Sequence, residues 1–148
     1  MRSKNPRKFL RPEESALVEQ AIARAESCTS AQVKFVITRH CWGDIRDKAW
    51  RVFKKLGLYR TAHRNCVLIL LVTTNREFCV YGDRGIHEEV GQAHWDDVCD
   101  HMARRFKDDA LAEGLSEGIA LISEHLARYF PHRAGNVNEI SNEVDYQE

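Results

Sequence analysis

The sequence has no hydrophobic stretch long enough for a transmembrane helix or a secretory signal. Its longest strongly apolar run covers only residues 66–72, whereas a helix that spans a bilayer needs about 20 apolar residues. The N-terminus also lacks the apolar segment and the small-residue cleavage site of a signal peptide. We therefore expect a soluble, cytoplasmic protein.

An excess of charge and a pattern of paired cysteines are also missing. Lysine plus arginine and aspartate plus glutamate number 22 each, so the formal net charge is zero. Proteins that bind nucleic acids are usually more basic, and we expect no nucleic-acid partner. The five cysteines are odd in number and contain no C-x-x-C pair. This pattern argues against a disulfide framework and against a thiolate zinc site.

Charge is nevertheless distributed unevenly between the two ends of the chain. The N-terminal segment carries five basic side chains: Arg2, Lys4, Arg7, Lys8 and Arg11. One interpretation of residues 1–10 is a solvated, flexible basic arm. The alternative is weak contact with an anionic membrane face or an acidic partner. Residues 131–148 are polar, acidic and without periodicity, so we expect a flexible acidic tail.

The remaining residues, 11–130, are enough for one domain with a single core. Apolar residues at helical spacing predict helices that begin near residues 12, 44, 94 and 111. Alternating apolar residues predict strands at 33–37 and 77–81. The uniformly apolar run at 66–72 predicts a central strand that is covered on both faces.

The order of these elements predicts the topology. A strand, a helix and a second strand in succession predict a parallel pair with a right-handed crossover. The short turn at 73–76 predicts an antiparallel hairpin. We therefore predict an α/β fold, an α/β/α sandwich in which a small mixed sheet is covered by helices on both faces.

Three short stretches resemble the TPM domain family. The first is the strand at 33–38 that leads into Gly43-Asp44-Ile45. The second is the segment at 54–58, followed after a polar loop by the apolar run at 65–72. The third, Gly85-Ile86-His87, is similar to the Gly-Leu-Glu that follows the third strand in the family. The resemblance covers residues 12–130, although His87 stands where many members have glutamate.

The resemblance implies an α/β/α sandwich with an acidic surface site that can hold a divalent cation. It also implies the phosphatase-like activity reported for a plant member and the roles near membrane complexes of other members. We therefore expect an accessory or interaction domain that binds a divalent cation, with calcium expected and magnesium as the alternative. The expected partner is an unidentified protein, and a membrane complex is one alternative. Two other functions stay open: a weak metal-assisted phosphatase and a membrane-peripheral adaptor that uses the basic arm.

The segment at 82–91 is the first choice for the site, because α/β folds usually place ligands on loops that leave strand ends. It contains three glycines between acidic residues and a histidine. Hard cations bind to several oxygen atoms on such loops. The candidate metal ligands are Asp44, Asp83, His87 and Glu88. The alternative is that Asp44 only caps a helix and Asp83 only stabilises a turn.

Three further patterns are weaker. The spacing His94-x-x-Asp97-x-x-x-His101 could place three zinc or nickel ligands on one helical face, or simply three solvated side chains. The stretch from Cys79 to Arg84 is one residue short of the cysteine-phosphatase loop C-x5-R. The aromatic residues around the second helix fit either packing or a contact surface for a partner, and they are Trp42, Trp50 and Tyr59.

Overall fold

The computed structural model describes residues 2–132 and 139–147. In chain order its elements are α1 (Pro6–Phe9), α2 (Pro12–Cys28), β1 (Gln32–Thr38), α3 (Ile45–Lys55), a 3₁₀ turn (Leu58–Arg60), β2 (Cys66–Val72), β3 (Glu77–Gly82), α4 (Arg84–Val90), α5 (Gln92–Lys107), α6 (Leu111–Leu126) and β4 (Asp145–Gln147). Within these residues, no helix combines the length and apolar character that crossing a bilayer requires.

The four strands form one mixed sheet in the order β3-β2-β1-β4. β1 pairs in parallel with β2, with Phe35 opposite Ile69. β2 pairs in antiparallel fashion with β3, with Ile69 opposite Val80. The predicted parallel pairing of β1 with β2 and the predicted hairpin are both confirmed.

Helices cover both faces of this sheet. On one face α2, α5 and α6 pack against Phe35, Ile37 and Ile69. On the other face α3 packs against Leu68 and Leu70. Successive residues of a strand point to opposite faces, so a strand between two helical layers must be apolar at every position. This is why residues 66–72 contain no polar side chain, and the predicted α/β/α sandwich is confirmed.

The pairing of α5 with α6 depends on a glycine. A Cβ atom at Gly118 would lie 2.8 Å from Cγ and Sδ of Met102. A glycine inside a helix weakens that helix by roughly 1 kcal/mol relative to alanine. Here the glycine lets α6 approach the buried Met102 side chain of α5 closely.

The N-terminal segment differs from the expected flexible arm. It forms α1, and both Phe9 and Leu10 are buried. Arg2 donates two hydrogen bonds of 2.6 Å to the carboxylate of Glu14, which holds the start of the chain on α2. The apolar pair after the basic residues explains the difference, because it places part of the segment in the core.

The C-terminal segment also differs from the expected flexible tail where it is described. β4 extends the sheet beside β1, with Val36 opposite Asp145. The buried Lys34 side chain donates a hydrogen bond of 2.8 Å to the backbone carbonyl of Glu143. β4 thereby covers part of an edge of β1 that would otherwise be unpaired. Residues 133–138 and 148 of the predicted tail lie outside the described residues.

Candidate functional site

An ion pair at the end of β3 organises the candidate site. Asp83 follows β3 and is only 4% exposed. Its two carboxylate oxygens accept hydrogen bonds of 2.8 Å from Nε and Nη2 of Arg64. Such bidentate ion pairs are stronger and geometrically more specific than ion pairs with a single hydrogen bond. The hydrogen bonds that Arg64 donates raise the pKa of its guanidinium.

The same aspartate starts α4. The backbone N–H of Arg84 donates a hydrogen bond of 2.7 Å to Oδ1 of Asp83, and Asp83 is the N-cap of the helix. The segment at 82–91, predicted as a glycine-rich loop, is therefore mostly helical. A polar side chain that satisfies a free N–H group favours a helix start over a loop. Asp83 thus caps a helix, where the alternative expected it only to stabilise a turn, and its role as a metal ligand stays a prediction.

Gly85 brings α4 against the loop that precedes β2. Its N–H donates to the backbone carbonyl of Arg64 over 3.1 Å. A Cβ atom at this position would lie 2.7 Å from the carbonyl oxygen of His63 and 2.8 Å from that of Arg64. Only glycine permits this approach without displacing backbone, so Gly85 helps to place Arg64 within reach of Asp83.

A cleft of about 450 Å³ lies beside the ion pair at the edge strand β3. We call it the arginine cleft. Its polar lining comes from Arg46, Arg64, Asp83, Arg84 and His87, and the rest from residues 79–82 and Trp95. Among the described residues, three arginines and one acid thus line the cleft, and Arg64 already neutralises that carboxylate.

The Arg46 side chain at the rim of the cleft is only weakly constrained by its ion pair. Arg46 contacts Asp96 of α5 over 3.7 Å, and both side chains are about 60% exposed. Exposed ion pairs of this kind contribute little to stability. The Arg46 side chain can therefore turn toward an anion in the cleft at small cost.

A second cleft of about 360 Å³ lies on the other side of the ion pair. We call it the aromatic cleft. It shares three residues with the arginine cleft, and its complete lining is Trp50, Phe53, Lys54, Tyr59, Arg64, Tyr81 and Asp83. The rings of Phe53 and Tyr81 pack with their centroids 5.2 Å apart, which forms the floor between α3 and β3.

The four predicted metal ligands do not share one cleft. Asp83 and His87 line the arginine cleft, and Glu88 is exposed on α4. Asp44 is the exposed N-cap of α3, and one of its oxygens accepts a hydrogen bond of 2.9 Å from the backbone of Arg46. Because β3 runs antiparallel to β1 and β2, the end of β1 before Asp44 and the end of β3 before Asp83 lie at opposite ends of the sheet.

The fit of these residues to calcium is poor. Calcium takes about six to eight oxygen ligands, but both oxygens of Asp83 already accept hydrogen bonds from Arg64 and Arg84. Across residues 2–132 and 139–147, no three histidine, cysteine, aspartate or glutamate side chains converge to form a metal site. Binding of calcium or magnesium stays a prediction, and at Asp83 it would require Arg64 to withdraw.

Cys79 lines the arginine cleft but is not a nucleophile at neutral pH. Burial raises the pKa of its thiol to about 12. The reactive form of cysteine is the thiolate. The mismatch with the C-x5-R spacing and the protonated thiol argue together against cysteine-phosphatase chemistry.

The histidines at 94 and 101 both contact α6. The ring of His94 stacks on His125 with centroids 3.8 Å apart, and Nε2 of His101 lies 2.6 Å from Oε2 of Glu117. These partners lie more than a dozen residues along the chain. The spacing of residues along α5 therefore could not predict these contacts with α6.

Sequence reasoning also missed Arg46 and Arg64 as site residues. Arg64 lies in a polar loop and has a left-handed backbone, with φ +51°. Its partner Asp83 is 19 residues away. The only available signal was the coincidence of a basic loop before one strand and an acidic residue after the next.

Comparison with known proteins assigns the fold to a family. The model of the TPM domain matches residues 4–125. The NMR structure of the BA42 protein from Bizionia argentinensis is 30% identical, with a TM-score of 0.89, covering 98% of this chain and 100% of that chain. The N-terminal domain of a P. gingivalis protein shares the fold at 18% identity and a TM-score of 0.69, covering 84% of this chain and 81% of that chain. A search among curated proteins finds no match. The chain belongs to the TPM domain family.

Proposed function

We propose that this TPM domain is an accessory interaction module that binds an anionic group in the arginine cleft. One observation carries the proposal. Arg46, Arg64 and Arg84 line a cleft of about 450 Å³ in which the one acid among the described residues, Asp83, is already paired. The cleft therefore has a surplus of positive charge, although the whole chain is neutral.

The positive groups of the cleft are arginines, which favours recognition of an oxyanion. Arginine presents several N–H donors in a planar fork that matches carboxylate and phosphate oxygens. Arg84 is exposed at the start of α4, so its side chain can reach an anion without breaking a buried contact. His87, one turn further along α4, adds a donor on the same side of the cleft.

The proposal is one of binding and does not include hydrolysis. The cysteine in the cleft is protonated at neutral pH, and it cannot attack a phosphoester as a thiol. Metal-assisted phosphatase activity stays a prediction from the family resemblance. A phosphatase assay with the Asp83→Asn variant as control tests that prediction separately.

NMR titration with inorganic phosphate tests anion binding. At constant ionic strength we expect phosphate, but not chloride, to shift the amide signals of Gly82, Arg84 and Gly85. A charge-assisted hydrogen bond contributes about 1.5–3 kcal/mol. Arg84→Ala should therefore weaken phosphate binding by about tenfold or more.

The matched control is Arg51→Ala. Arg51 is also an exposed arginine, on α3, but it lines neither cleft. Its removal changes the net charge of the protein by the same amount as Arg84→Ala. Equal weakening by the two variants would show diffuse attraction to surface charge, and it would contradict a specific site.

A further inference from the structure

We infer that the anionic group belongs to an extended peptide, whose acidic side chain enters the arginine cleft while a neighbouring large apolar side chain enters the aromatic cleft. This inference rests on the proposed function and names its ligand class. It depends on three features of the structure: the adjacency of the two clefts, the exposed aromatic rings and the edge strand beside them.

The two clefts are adjacent. Both are lined by Arg64, Tyr81 and Asp83, so only the ion pair and one tyrosine ring separate them. A ligand that binds in the arginine cleft and extends past the ion pair therefore reaches the aromatic cleft. A small inorganic anion would use only one of the two spaces.

The aromatic cleft presents apolar surface that its own chain covers only in part, with Lys54 over the Trp50 ring and Arg60 over the Tyr59 ring. Trp50 is 50% exposed and Tyr59 is 37% exposed, whereas Phe53 below them is buried. Tryptophan and tyrosine are the residues that most often anchor interfaces, because they bury large areas and retain a polar atom. A large apolar side chain is the group that gains most by entering this cleft.

The charge around the aromatic cleft selects an acidic ligand. The Lys54 ammonium lies 5.2 Å from the centre of the Trp50 ring, and Arg64 also lines this cleft. Within residues 2–132 and 139–147, Asp83 is the single acid that lines either cleft. A basic segment would meet repulsion in both clefts, whereas an acidic segment meets opposite charge in both.

The position of the clefts favours a peptide over a mononucleotide. β3 is an edge strand, and residues 79–82 of this strand line the arginine cleft. The N–H of Asp83 donates to the carbonyl of Cys66 in β2, so by alternation the backbone of Gly82 faces away from β2. The Val80 N–H, one alternation earlier, meets the Cys99 thiol. Gly82 therefore offers one backbone pairing position to an extended peptide, and the contact of α5 with Val80 limits the pairing to this residue.

A peptide library tests the inference with the full chain. Two libraries of seven-residue peptides, one with a central aspartate and one with a central phosphoserine, are selected on the immobilised protein. We expect tryptophan, phenylalanine or leucine to be enriched at one fixed distance from the central anion. The library that shows the stronger enrichment identifies the source of the anion.

Variants then locate the apolar contact. Trp50→Ala and Tyr59→Ala should each weaken the best peptide by about tenfold and leave phosphate binding unchanged. Trp42→Ala is the matched control, because Trp42 is 82% exposed and lines neither cleft. Because Trp50 and Tyr59 are exposed and are replaced separately, the test does not fail if one of the two variants does not fold.

Three results would overturn the inference: no positional enrichment, equal binding of the best peptide to wild type and to both cleft variants, or displacement of phosphate by adenosine monophosphate but by no peptide. If phosphate still binds in these cases, the proposed anion site survives and only the peptide assignment fails. If phosphate does not bind at all, the proposed function fails together with the inference.

Discussion

The imidazole rings of His94 and His125 stack across the interface of α5 and α6, with their centroids 3.8 Å apart and their planes 18° apart. Burial lowers the pKa of both histidines from 6.5, and the charge of His125 lowers that of His94 further. Arg128 acts in the same direction on both rings, while Asp97 opposes it at His94. The folded protein therefore favours the neutral form of this pair.

This pair should make stability fall in acid. The unfolded chain binds more protons than the folded chain once the pH drops below 6.5, so the stabilisation is complete above that pH and is lost below it. We expect the melting temperature of His125→Gln to depend less on pH between 7.5 and 5.5 than that of wild type. Circular dichroism melts measure this, with the exposed His40→Gln as control. A pH dependence unchanged by His125→Gln would contradict it.

Glu26 should act in the opposite direction. Burial raises the pKa of its carboxyl to about 7 from 4.5, so the fold favours the protonated form. The stabilisation is complete below pH 4.5 and is lost as the pH rises through 7. We expect Glu26→Gln to stabilise the protein at pH 8 by about 1–2 kcal/mol, a value reduced for partial exposure.

Urea unfolding at pH 5 and pH 8 measures this difference for Glu26→Gln and for Glu124→Gln. Glu124 is an exposed residue of α6, so its replacement should change stability little at either pH. A Glu26→Gln protein that gains no stability between pH 5 and pH 8 relative to wild type would show that the carboxyl is not kept protonated.

Gly85→Ala should disrupt the site through the backbone. The added methyl group would lie within 2.8 Å of the carbonyl oxygens of His63 and Arg64, and the loop must move away from α4. Such overpacking costs about 1–3 kcal/mol. We expect a corresponding loss in the free energy of unfolding and weaker phosphate binding, because Arg64 leaves its position beside Asp83.

Arg64→Lys separates the two expected effects of Gly85→Ala, which are the backbone strain and the displacement of Arg64. Lysine keeps the charge but cannot form the two-pronged hydrogen bonds to Asp83, and it leaves the backbone contact of Gly85 intact. Phosphate binding should weaken in both variants. If Gly85→Ala binds phosphate as wild type does, the position of Arg64 does not depend on this glycine.

Calcium binding at Asp83, which stays a prediction, should depend on Arg64. The Asp83 oxygens that a cation would need accept hydrogen bonds from this guanidinium. We expect Arg64→Ala to bind calcium more tightly than wild type, because the carboxylate becomes free. Calorimetric titration measures the affinities, with circular dichroism to verify the fold, since removing one partner exposes a buried charge.

The Asp83→Asn variant is the control for the calcium titration. It should abolish any affinity that Arg64→Ala gains. Equal heats for wild type and all variants would place calcium elsewhere or show that none binds at Asp83.

Much of the fold was readable from local patterns. The uniformly apolar residues 66–72 predicted the central strand, and the structure confirms it as β2 with every residue buried. The turn at 73–76 predicted the hairpin with β3. Periodicity predicts such elements because the period of side-chain direction is a property of the local backbone.

The candidate site was only partly readable. Position 83 was singled out correctly as a residue at a strand end, but its role depends on Arg64. The arginine lies one strand earlier, and the antiparallel register of β3 on β2 brings the two together. The N-terminal helix and β4 were missed for a similar reason: Phe9 is buried and Asp145 is paired only because distant elements meet them.

Local sequence periodicity by itself determined the longer helices, the first three strands and the faces that they bury, because transfer of apolar side chains from water depends on composition and spacing. The short elements α1, α4 and β4 gave no such signal. Tertiary structure alone decided which charged groups meet. A guanidinium and a carboxylate interact over a few ångströms, and no spacing along the chain encodes that distance until the strands have paired.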